Sequence, residues 1–234
     1  KGPAGYILMY STNYYAGRDY SLGYAVSASP LGPFVKSTSR LLYTEGSWPK
    51  ISGPGHNSVF VSPNGSVCYT AYHTHTVPAI GGGNRQMNLD VVNLMADGTV
   101  VVNGPSLGWQ FTPREMEQVV ANRAYWQGPS AVLDGIASPH KDIGEKVALA
   151  PDESLTLTAS EATGVSTLRI DTDSDMLSQP KLRVHVGHAV TEQFNPENNN
   201  NKAPILMFKA LEVKRIVIEN ISSLPIAIKE VEIN

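Results

Sequence analysis

One strand–loop–strand pattern occurs twice in the first hundred residues, and it limits the possible folds more than any other feature. Residues 5–11 read Gly-Tyr-Ile-Leu-Met-Tyr-Ser, and residues 66–73 read Ser-Val-Cys-Tyr-Thr-Ala-Tyr-His. Each run is followed by a Gly-containing loop and an arginine, Gly17-Arg18 in one copy and Gly83-Asn84-Arg85 in the other. A second strand follows each, Tyr20–Ser27 and Met87–Leu94, then a turn, Ser29-Pro30-Leu31-Gly32 and Ala96-Asp97-Gly98-Thr99, and then Phe34-Val35 or Val101-Val102. From the arginine onward the two copies are offset by 67 residues, and before the loop by 62, so the second copy has a loop five residues longer. A repeat of this length fits three or four antiparallel strands with long loops, as in a propeller blade or a sandwich. If the copies are blades, two cannot close a ring, and the rest of it is expected upstream of Lys1 or on another chain.

Composition supports a β protein and excludes several functions. The 234 residues allow one large domain or two ordinary ones. Charged residues make up only 17%, low for a helical protein, and 20 Gly with 16 Pro predict many turns and short strands. The formal charge is -3 and the 18 Lys and Arg do not cluster, so no nucleic acid partner is expected. No apolar run approaches the ~18 residues of a membrane span. Cys68 is the one cysteine, which excludes an internal disulfide and a thiolate zinc site. It lies between Val67 and Tyr69 and reads as a small core residue.

Between the copies runs Ser52-Gly53-Pro54-Gly55-His56-Asn57-Ser58-Val59. Glycines on both sides of a proline predict a tight turn with close backbone approach, leading directly into a strand. That places His56 at the mouth of an innermost strand, where a propeller has its axis. Read alone, His56 is either a turn histidine bonded to backbone or an axial residue. His73 and His75 alternate on one strand and so share a face, either for a metal or for hydrogen bonds at a pocket rim. Tyr14 and Tyr15 either stack on a sugar or cover a blade edge. Nine of the ten tyrosines lie within residues 1–72, which suits a polar ligand site in that half.

At these residues the sequence resembles glycoside hydrolase family 43, five-bladed β-propeller glycosidases of arabinan, xylan and related plant polysaccharides. The resemblance rests on Gly17–Ala25 with Ser29–Phe34, on Gly53-Pro54-Gly55-His56-Asn57-Ser58, and on Tyr72-His73-Thr74-His75 with Asn84-Arg85-Gln86, and it covers roughly residues 1–110. It implies that the chain holds the last two blades of the propeller. It implies a role for His56 facing an axial metal, usually calcium, or an axial water, and it places Arg85 at the substrate subsite, with His73 and His75 beside it. The family's three acidic residues map upstream of Lys1, so no residue here corresponds to them. Inverting hydrolysis needs one carboxylic acid to protonate the leaving oxygen and a second carboxylate, roughly 6.5–9.5 Å away, to activate water. Asp19, Glu45 and Asp90 are the local carboxylates, each with an ordinary structural explanation: a neighbour of Arg18, a turn residue and a strand residue.

Residues 103–117, with Gly104-Pro105 and Pro113, read as a linker closing a first domain of residues 1–117. Residues 118–234 show short alternating strands, at Ser154–Thr158, Thr167–Asp171, Lys181–Val186, Ile205–Phe208, Lys214–Glu219 and Ile226–Glu232, and an exposed loop at Asn195–Asn201. Glu230 and Glu232 alternate with Val231 and Ile233, as in a half-buried closing strand. Ala131–Gly135, Val165–Ile170, Arg215–Glu219 and Ile228–Glu232 resemble the discoidin-type, galactose-binding-like sandwich. The resemblance implies a jelly-roll-like β-sandwich. Few aromatics are present to stack on sugar, so it reads as a structural module ahead of a carbohydrate-binding one.

The expected protein is therefore all-β, a partial propeller followed by a sandwich. The expected function is to contribute pocket residues to an inverting glycosidase whose carboxylates lie upstream or on a companion chain. The alternative is a carbohydrate-binding module or scaffold without catalysis. By resemblance alone, the protein is expected to be secreted or periplasmic.

Overall fold

The computed structural model describes residues 1–44, 51–78, 80–106, 110–137, 146–173, 181–194 and 205–234. The chain divides into two compact units, Lys1–Leu107 and Gly108–Asn234. Among the described residues it is all-β apart from one α-helix and a short 3-10 turn, with blade-type sheets first and a sandwich-type unit after them.

In the first unit, β1 (Tyr6–Thr12), β2 (Ser21–Ser27) and β3 (Val35–Leu42) form an antiparallel three-stranded sheet. β4 (Gly55–Val61), β5 (Cys68–His75), β6 (Arg85–Leu94) and β7 (Val100–Val102) form a four-stranded one, in chain order. Both are simple meanders, and the repeat superposes them element by element: β5 corresponds to β1, β6 to β2 and β7 to β3. β4 then has no counterpart in the first sheet, and β1 is an edge strand there. The turns follow their sequences. Gly32 takes φ 85 as its N–H closes on Ser29 O, and Asp97 Oδ1 accepts from Thr99 N–H. The sheets share one core, in which Leu22, Tyr24, Leu41 and Leu42 pack with Tyr72, Val92, Val100 and Val102. Cys68 is half-buried against it, as expected of a small core residue, and burial pushes its thiol pKa up.

The second unit begins with a helix that the sequence reading missed. Residues 113–117, read as linker, open α1 (Pro113–Arg123). Thr112 caps it: its hydroxyl accepts from Glu115 N–H while the Glu115 carboxylate accepts from Thr112 N–H, with Pro113 in the first turn. β8 (Trp126–Gln127), the 3-10 turn Ser130–Val132, β9 (Val147–Leu149), β10 (Ser154–Asp173), β11 (Lys181–Val186), β12 (Ala189–Phe194), β13 (Ile205–Asn220) and β14 (Ile226–Ile233) follow. The sheet order is β12-β11-β13-β10-β14-β9, with β8 on β10. β10 and β13 each join two segments expected to be separate strands. Register shifts between Thr158 and Thr163 and between Val165 and Thr167 let these long strands bend around one aliphatic core. The loop expected at Asn195–Asn201 lies outside the described residues.

β14 is buried on both faces, not half-buried. A register shift opposite Asp171 and Thr172 puts Ile226, Ile228, Val231 and Ile233 into the core. The other face holds a buried charged cluster. Arg169 pairs with Glu232 at 2.7 Å and lies 3.6 Å from Asp171, and Lys229 lies 3.3 Å from Asp171. Glu230 Oε1 accepts from Gly135 N–H at 3.1 Å and sits 3.3 Å from Arg123 at the end of α1. The Asp134-Gly135 turn is thus a lid over Glu230, whose carboxyl is pushed well above its ordinary pKa, mainly by burial and further by Glu232 and Asp134.

Candidate functional site

Three segments of the first unit meet at one end of its sheets: the β1–β2 loop, the run from Ile51 into β4, and the β5–β6 loop. Gly82 N–H donates to Ala16 O at 2.9 Å, joining the two inter-strand loops. His56 N–H donates to Ser11 Oγ at 2.9 Å, tying β4 to the end of β1.

His56 owes its position to a bulge. Gly55 pairs with His73 and Ser58 with Ala71, so His56 and Asn57 together oppose Tyr72. His56 adopts φ 54, and its side chain is exposed. The His73 ring lies 6.2 Å away, centroid to centroid, at 60°. Gly55 is required here, because a Cβ would stand 2.0 Å from the Tyr20 ring. Tyr20 in turn stacks on His73 at 5.6 Å and 20°. His73 Nε2 is buried and without a hydrogen-bond partner among the described residues. Burial first, then the charges of Arg85, His56 and His75, lowers the His73 pKa to about 4, so the ring is neutral near pH 7.

Arg85 is the first residue of β6, paired with His75, rather than a residue of the glycine loop itself. It is exposed, and its guanidinium lies 5.0 Å above the Tyr15 ring. Tyr14 and Tyr15 are themselves exposed, with rings 4.8 Å apart and tilted by 60°. Arg85, His73 and His56 thus gather with two tyrosines around one open end of the unit.

His75 differs from the other sequence-identified residues. Although it shares a strand face with His73, it is 0% exposed. Its Nδ1 lies 2.9 Å from Ser52 Oγ and its Nε2 lies 3.1 Å from Tyr15 O. Strand alternation gave the shared face correctly but gave no sign that the Tyr15 and Ser52 segments close over its outer end. Ser52 and Tyr20 were missed altogether. The signal for both was the pair Gly53 and Gly55, where only a missing Cβ leaves room for the His75 and Tyr20 rings.

Among the described residues, Asp19 and Asp90 do not form a catalytic pair. Asp90 is buried and accepts from Tyr72 Oη at 2.5 Å and from Ser106 Oγ and N at 2.5 and 3.2 Å. It fastens the segment after β7, and Gly104 is needed there because a Cβ would stand 2.1 Å from Asp90 Oδ2. Asp19 is exposed, and its carbonyl accepts from Asn13. Glu45 lies outside the described residues. Calcium prefers oxygen ligands. At this end the unit offers imidazole nitrogen, and among the described residues no three His, Cys, Asp or Glu side chains come together as a metal site. The described residues do not by themselves fit a calcium ion.

Residues 4–100 match the family model for glycosyl hydrolases family 43. Among solved structures, a thermostable family-43 glycoside hydrolase is 47% identical, over 49% of this chain and 36% of that one, with a TM-score of 0.45. An endo-1,4-beta-xylanase from Bacteroides thetaiotaomicron is 29% identical, over 44% and 35%, with a TM-score of 0.39. A pectin binding carbohydrate binding module is 15% identical, over 38% and 70%, with a TM-score of 0.33. The chain thus spans 36% and 35% of the length of the first two structures. No curated protein matches. Among the described residues, no helix is long and apolar enough to cross a membrane.

Proposed function

We propose that residues 1–107 form one wall of the sugar site of an inverting glycoside hydrolase acting on arabinose- or xylose-containing plant polysaccharides. Its catalytic carboxylates come from chain outside these residues, either an upstream segment or a companion chain. The observation that carries this reading is the open end where Arg85, His73 and His56 gather with Tyr14 and Tyr15, within the stretch that matches the family model. The aromatic faces suit stacking on a pyranose or furanose ring, and the guanidinium suits paired hydroxyls. The completing chain would add a strand beside β1, in the place β4 fills beside β5. Such a protein would work outside the cytoplasm, secreted or periplasmic, where its polymeric substrate is.

The test is hydrolysis of aryl arabinosides and xylosides by the complete protein, comparing Arg85→Ala and His56→Ala with the unaltered enzyme. Both should lose turnover efficiency, and unchanged kcat/KM in either variant removes that residue from the site. A second reading, a carbohydrate-binding protein without catalysis, is favoured by the absence of a carboxylate pair at this end among the described residues. Saturable oligosaccharide binding by the complete protein with no hydrolysis selects it.

A further inference from the structure

The sugar-wall reading assigns no separate task to the buried His75, yet three segments of that wall converge on it. Its main-chain N–H donates to Ser52 O at 3.0 Å, and its ring contacts Ser52 Oγ at 2.9 Å and Tyr15 O at 3.1 Å. A carbonyl only accepts, so Nε2 carries the proton and donates it to Tyr15 O. In the neutral ring Nδ1 is then the acceptor, and the Ser52 hydroxyl donates to it. The tautomer is fixed by the chemistry of the two partners.

Packing holds the ring in that pose. A Cβ at Gly53 (φ 59) would stand 2.1 Å from His75 Cε1, and one at Gly81 would stand 3.6 Å from the same atom. The motif run before β4 therefore packs directly against the imidazole at Gly53, while the glycine loop before Arg85 lies near it without crowding it. The Tyr15 carbonyl it holds belongs to the residue whose ring lies under the Arg85 guanidinium. Arg85 is also the residue paired with His75 across β5 and β6.

We infer that His75 is a positioning residue: through its Nε2–H it sets the Tyr15 main chain, and Tyr15 in turn holds Arg85 over the sugar site. His75 touches no ligand itself, because its side chain leaves no exposed surface for one to reach. The claim rests on the proposed sugar site for its functional half, and on the ring geometry alone for its structural half.

Both halves are tested in the complete protein. His75→Gln places an amide N–H near Nε2, and His75→Asn places one near Nδ1, so the first keeps the Tyr15 bond and the second keeps the Ser52 side. His75→Leu removes both. Binding of arabino- and xylo-oligosaccharides is measured by calorimetry well below each variant's melting temperature, so that lost folding is not read as lost binding. His75→Asn and His75→Leu should weaken binding about tenfold, the scale of one hydrogen bond's net worth, while His75→Gln stays close to the parent. Adding Arg85→Ala to His75→Leu should weaken binding no further than Arg85→Ala alone. Equal binding by the Asn and Gln variants, or additive losses with Arg85→Ala, overturns the inference. Nitrogen-15 spectra of the imidazole give an answer that needs no sugar. A proton on Nε2, with the Tyr15 amide signal displaced in His75→Asn and retained in His75→Gln, supports the positioning role, and a ring without a proton on Nε2 overturns it. If the unaltered protein binds no sugar, the sugar-site reading fails, and the spectra still decide the positioning.

Discussion

Replacing Asp90 separates a structural carboxylate from a chemical one. Its side chain is 1% exposed and accepts hydrogen bonds from Tyr72 Oη, Ser106 Oγ and Ser106 N. Tyr72 is itself 3% exposed, so its hydroxyl has little water to turn to when the carboxylate is removed. A hydrogen bond to a charged group contributes about 1.5–3 kcal/mol, and a buried donor left unpaired costs about 1–3 kcal/mol. Ser106 is only part-buried and recovers some of its loss to solvent. The net for Asp90→Ala is about 3–5 kcal/mol, a large share of the 5–15 kcal/mol typical of a domain. Asp90→Asn keeps one acceptor oxygen and should cost roughly half of that. The assay is urea unfolding of the complete protein at neutral pH, with sugar binding or hydrolysis measured per folded molecule. The midpoint should fall sharply for Asp90→Ala while activity per folded molecule is retained. An unchanged midpoint with activity abolished would refute the reasoning and make Asp90 part of the chemistry.

Other predictions follow from the same geometry. Glu230 has its pKa raised in the folded protein, so the folded state holds the proton more tightly than the unfolded chain does. Its contribution to stability is therefore full below the ordinary value of 4.5 and declines as pH rises above it. Glu230→Gln should flatten that decline and raise the melting temperature near neutral pH; a lower melting temperature at every pH contradicts this. His73, lowered to about 4, gives the opposite slope: its contribution is full above the ordinary 6.5 and is lost as pH falls through 4, and His73→Asn should remove that dependence from a pH titration of stability. Gly55→Ala drives a methyl group into the Tyr20 ring and should cost at least about 1–3 kcal/mol of overpacking in thermal melts, with Tyr20→Ala restoring part of the loss in the double variant.

The blades were legible in the sequence because their strands end at Gly, Pro or Asp-Gly turns and the two copies match strand for strand, although bulges break the pairing of β2 with β3 and of β4 with β5. The second unit was harder. At Thr158–Thr163 and Val165–Thr167 bulges break the alternation, and two long strands therefore read as four short ones. The glutamates of β14 looked solvent-facing because alternation gives the face of a side chain and not what covers it. Glu230 is covered by the Asp134-Gly135 turn and by Arg123 at the end of α1, and the Thr112–Glu115 capping box of α1 was visible in the sequence but lay inside an apparent linker. At the site, His56, His73 and Arg85 were placed together by motif and repeat. The burial of His75 was not, because it depends on loops that fold back over the strand from positions 60 and 23 residues away.

The central claim is that this chain supplies a sugar-binding wall and not the acid–base pair. Its most direct test is hydrolysis of aryl arabinosides and xylosides, measured side by side for residues 1–234 alone and for the same residues together with the chain that completes the propeller. The account predicts no turnover from residues 1–234 alone and turnover from the completed protein. Turnover by residues 1–234 alone would contradict it.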